Sequence, residues 1–76
     1  MLMATGLSAN AHVRAQTALQ NSPIVELHDL RVEPRDGTLV VSGNVSSFYH
    51  KQLAQEVVWA LCREIGVELV NQIRVQ

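Results

Sequence analysis

The sequence predicts an α+β fold in a single small domain: two helices packed on one face of a three-stranded mixed sheet, in the order α-β-β-α-β. Three observations carry this reading. Two stretches repeat apolar residues at helical spacing, two period-two stretches meet at Asp36-Gly37, and a third follows Gly66. The 76 residues, 47% hydrophobic and 17% charged, are enough for one core and exclude a two-lobed enzyme with a cleft between lobes.

The first helix is expected from Ser8 to Asn21, where Leu7, Ala11, Ala15, Ala18 and Leu19 share a face. Its stripe is largely alanine, so it can approach a neighbour closely while burying little area. Ser22-Pro23 ends it, because proline lacks a donor and drives the preceding residue out of helical geometry. Residues 1–12 are expected to be a partly disordered lead-in and the start of this helix, and residues 13–76 the domain proper.

Leu30 and Val32 alternate with Asp29, Arg31 and Glu33 in a half-buried strand that Pro34 closes. Asp36-Gly37 supplies the positive φ of a tight hairpin turn. Beyond it Leu39, Val41 and Val45 face inward, while Thr38, Val40, Ser42 and Asn44 face outward. Gly43 falls on the inward face, where a missing side chain would let a helix lie close over the strand.

Ser46 or Ser47 is a natural N-cap for the main helix, whose stripe of Leu53, Ala54, Val57, Val58, Ala60, Leu61 and Ile65 runs to a C-terminal glycine, Gly66. Val67, Leu69, Ile73 and Val75 share parity in a last strand. The intervening helix makes the second and third strands parallel through a right-handed crossover, and the first strand most simply lies between them. Leu39, Val41, Leu53, Val57, Leu61 and Ile73 are expected to form one core.

Function classes narrow by exclusion. The formal charge is -1, and Arg14, Arg31, Arg35, Lys51, Arg63 and Arg74 are scattered, which argues against nucleic acid and against strong attraction to anionic membranes. No run approaches the roughly 20 apolar residues of a transmembrane span. His12, His28 and His50 stand at no metal-binding spacing, and Cys62 is the sole cysteine, so neither a metal site nor a disulfide is expected. Cys62 is either partly buried against the first helix or an exposed thiol. No nucleophile elbow, glycine-rich phosphate loop or paired acidic motif occurs, so neither catalysis nor a cofactor is expected. The opening residues lack the basic and long apolar regions of an export signal, although Ala9-Asn10-Ala11 has small-x-small spacing; a cytoplasmic location is the expectation.

The aromatic residues are the informative oddity. At about 100° per residue Phe48 and Trp59 lie on one side of the main helix, opposite Leu53, Val57 and Leu61. Gln52, Gln55 and Arg63 share that side, an amphipathic combination of the kind found at protein interfaces. Two readings stay open: this is a binding surface, or Trp59 is a structural side chain that closes a seam against Ala11, Ala15 and Ala18 or lies singly on the surface.

Val13-Arg14 through Ala18-Leu19, Ser22-Pro23, Leu30-Arg31-Val32, Asp36-Gly37 with Leu39, Val41, Gly43 and Val45, Leu53-Ala54 and Val70 to Val75 together resemble a BON domain, the family named for bacterial osmotic-stress and nodulation proteins. The most specific piece is Gly37-x-Leu39-x-Val41-x-Gly43-x-Val45, and the segment from Ala54 to Gly66 is a few residues longer than the family's usual spacing. The resemblance implies a non-catalytic module that contacts phospholipid surfaces or other proteins, with the bacterial envelope as the alternative location. The residues and the resemblance together favour a protein partner or self-association, with weak peripheral phospholipid binding as the alternative.

Overall fold

The computed structural model describes the backbone of residues 3–76 and the side chains of residues 11–76. Helix α1 (Met3–Gln20) is followed by a short 3-10 turn (Val25–Asp29), strands β1 (Arg31–Arg35) and β2 (Thr38–Val45), helix α2 (Phe48–Ile65) and strand β3 (Glu68–Val75). The class and element order are those the sequence predicts, with the 3-10 turn added. Helix α1 begins at Met3 rather than Ser8; Met3, Ala4 and Leu7 are good helix formers, and a single Gly6 costs only about 1 kcal/mol. Residues 1 and 2 of the expected lead-in lie outside the described residues, as does the Leu7 side chain.

β1 and β2 are antiparallel, β2 and β3 are parallel, and the sheet order is β1-β2-β3. The expectation that β1 lies between the other two is therefore corrected: β2 is central. The reason is legible in β2 itself, where Leu39, Val40 and Val41 are all buried. Val40 faces away from the helices, yet Glu33 and Val70 beside it in register leave it only 5% exposed. β1 has one buried residue in five and contains Pro34, the composition of an edge strand.

The turn forms as expected, with Asp36 at φ 45° and Gly37 at φ 82° joining the paired residues Arg35 and Thr38. Ser47 is the N-cap of α2, its hydroxyl accepting the His50 N–H at 3.1 Å. Gly66 ends α2 in left-handed geometry, and Cys62 O accepts both the Gly66 and the Val67 N–H. Gly43 differs from expectation in one respect. What comes close over it is Leu30 rather than a helix: a Cβ built there would lie 2.6 Å from Leu30 Cδ2.

The core joins Ala11, Ala15 and Leu19 of α1 to Leu27, Leu30 and Val32, to Leu39, Val41 and Val45 of β2, to Ala54, Val58 and Cys62 of α2, and to Ile73. Helix α2 is thus rotated from the expected setting. Its sheet-facing line is Ala54, Val58 and Cys62, while Leu53, Val57 and Leu61 are half-buried. Small residues at the sheet let the helix sit close, and its larger ones turn toward the helix pair, where Val57 and Leu61 line a groove with Val13, Thr17 and Ala18. Cys62 is buried rather than exposed, and burial pushes its thiol pKa up, away from reactivity.

One set of hydrogen bonds locks the 3-10 turn to α2. Glu26 Oε1 accepts the Ser46 N–H at 2.9 Å and lies 2.7 Å from His50 Nδ1. The Ser46 main chain, and after it the His50 side chain, hold the Glu26 carboxyl at about 2, below its ordinary 4.5. A lowered folded-state value stabilises the fold above the unfolded value and stops doing so as pH falls through the folded one. The denaturation midpoint should therefore drop as pH goes from 4.5 toward 2. In Glu26→Gln this part of the acid dependence should be absent; an identical pH profile in the variant would refute the assignment.

Candidate interaction surface

Two flanks of α2 remain beside its sheet-facing line. One meets α1; the other overhangs β3. Phe48, Gln52, Gln55, Trp59 and Arg63, separated by three or four residues, fall on this second flank. The structure brings the five together along one outer side. Phe48, Gln52, Gln55 and Trp59 line one shallow groove with Lys51 and Glu56, and Gln55 and Trp59 line a second with Val67, Glu68, Leu69 and Asn71. The surface therefore runs from the first turn of α2 down to β3.

Phe48 is 75% exposed and Trp59 49%. Trp59 does not pack on the alanine stripe, because α1 lies on the opposite flank of α2. The Arg63 guanidinium instead stands 5.0 Å from the centre of the indole ring, a cation–π contact. Gln55 Oε1 accepts the Asn71 Nδ2–H at 2.7 Å, tying the flank to β3. Asn71 Oδ1 in turn accepts the Ile73 N–H at 2.9 Å.

The histidines are placed elsewhere. His50 belongs to the Glu26 lock, and His28 donates from Nε2 to Ser22 O at 2.7 Å. Among the described residues no three His, Cys, Asp or Glu side chains gather as a metal would need. No described helix is long and apolar enough to cross a membrane.

Sequence reading missed two features. Glu26 and His50 are 24 residues apart, and no local pattern links them. Gln16 is the second: its Nε2 donates to Leu30 O at 2.6 Å and its Oε1 accepts the Val32 N–H at 2.9 Å, so one side chain occupies the free edge beside β1. A polar residue close to the alanine stripe was the available signal.

A family model for the BON domain matches residues 9–76, nearly the whole chain. The chain belongs to the BON family. BON domains are generally non-catalytic binding domains, and binding to lipid or protein is the family's theme. In this BON domain the α-β-β-α-β order and the hairpin glycines are in place. No curated protein and no solved structure matches the chain.

Proposed function

We propose that this BON domain is a non-enzymatic interaction module that docks a protein partner, a second copy of itself included, on the outer flank of α2. The observation that supports this most is the exposure of Phe48 and Trp59 along one line with Gln52, Gln55 and Arg63, on the flank that α1 leaves open. Each aromatic ring offers large area at little side-chain entropy, and Trp and Arg are frequent interface anchors. Neither ring is needed for the core, whose members all lie on other faces.

Trp59→Ala should leave stability within about 0.5 kcal/mol and weaken self-association, or cross-linking to a partner in the native cell, by at least about tenfold. Association undiminished in that variant would remove the flank from consideration. Phospholipid binding is tested by flotation with anionic vesicles. The chain's charge of -1 predicts weak binding that vanishes near 0.15 M salt, where the Debye length is about 8 Å. Tight binding retained at that salt would favour lipid over protein.

A further inference from the structure

The two edges of the sheet are unequal. Beside β1, Gln16 occupies Leu30 O and the Val32 N–H, and Pro34, of the same parity, has no N–H to offer. That edge is blunted. On β3 the Glu68 and Gln76 N–H groups bond inward to Gly37 O and Val45 O. Period two then turns the main-chain groups of Leu69, Asn71, Ile73 and Val75 outward. Among the described residues the Ile73 N–H alone of these is covered, by the neighbouring Asn71 side chain. A rotation of that side chain opens an eight-residue edge.

We infer that the β3 edge pairs antiparallel with β3 of a second copy about a two-fold axis at Asn71. Leu69 then stands opposite Ile73 of the second copy and Asn71 opposite its counterpart, with Ile73 opposite Leu69, each facing pair exchanging two main-chain hydrogen bonds. On the sheet's outer face the same register sets Glu68 against Arg74 twice, once on either side of the axis. Among registers that bring outward-turned amides together, this alone opposes those two charges. They are available: both side chains are exposed, and among the described residues neither makes an ion pair within the chain. They occupy non-hydrogen-bonded positions, where facing side chains come closest.

The helical layer agrees. Helix α2 overhangs β3, so the two-fold sets the Phe48 and Trp59 flanks of the two copies facing one another across the joined sheets. Two helices pack at about 8–10 Å between axes, a separation aromatic side chains fill. The inference deepens the proposal that this flank docks a protein, and it commits the partner to a second copy. The groove between α1 and α2 is also apolar, but nothing beside it selects an occupant.

The test is a charge swap followed by sedimentation velocity across a concentration series. Glu68→Arg and Arg74→Glu should each weaken self-association about tenfold or more, since each converts two attractive facing pairs into repulsive ones. The double variant, with both reversals in one chain, should return to within about threefold of the natural protein. Unchanged circular dichroism melts in all three keep any loss from being one of folding. A dimer unaffected by the single reversals, or a double variant no better than they are, would overturn the register. A natural protein monomeric at all concentrations would overturn the second copy as partner; the flank's role toward another protein would still stand or fall on Trp59→Ala in the cell.

Discussion

Gly43→Ala should cost about 3 kcal/mol or more, measured as a shift in denaturation midpoint. Two separate terms act. The backbone there has φ 133°, a conformation side-chain-bearing residues rarely adopt, and such strain costs on the order of 1–3 kcal/mol. The new methyl would also lie 2.6 Å from Leu30 Cδ2 and 3.4 Å from Leu30 Cα. Leu30 is 1% exposed and has little room to retreat, and overpacking of this kind costs about 1–3 kcal/mol. A double-mutant cycle with Leu30→Ala separates the terms, because it relieves the clash and leaves the strain. A variant as stable as the natural protein would mean that β2 does not take this conformation in solution.

The second large effect concerns the setting of α2. Val58 is fully buried beneath the helix and Val57 is half-buried beside α1. Val58→Ala removes two buried methyl groups at about 0.8 kcal/mol each and leaves a cavity against the sheet, about 2–3 kcal/mol in all. Val57→Ala should cost about 1 kcal/mol, since the vacated site opens toward solvent. Unfolding curves of the two variants decide it. The reverse order, with Val57 the costlier loss, would restore the rotation that the larger side chains suggest.

Why that rotation was not legible shows what a sequence carries here. The apolar stripe of α2 spans seven positions, and periodicity fixes its width better than its centre. Choosing the largest side chains as the centre favoured Leu53, Val57 and Leu61, whereas close packing on a sheet favours small ones, Ala54 and Cys62 among them. The strand order differs from the expected one for a related reason. Chain connectivity allows β1 in the middle, but the uninterrupted Leu39-Val40-Val41 is a two-sided burial signal that only a central strand explains. Local chemistry was legible throughout: Asp36-Gly37, Ser47 and Gly66 each act through backbone geometry within a few residues. The Glu26–His50 pair and the Gln16 bonds depend on tertiary placement, so no local spacing announces them.

Of the candidate surface, the side-chain set was legible and its surroundings were not. The angular separation of Phe48 and Trp59 from the core stripe follows from helical pitch alone, and the structure places all five residues on one flank. That this flank overhangs β3, the less protected sheet edge, required the strand order. The joining element is Asn71, which holds Gln55 on one side and the Ile73 N–H on the other.

That the Phe48–Trp59 flank is a free docking surface that folding does not use is directly measurable through the chain's single tryptophan. At submicromolar concentration, below self-association, the half-exposed Trp59 should emit red-shifted from a buried indole and be readily quenched by iodide. Blue-shifted emission protected from iodide in that dilute sample would place Trp59 inside the fold and contradict the account.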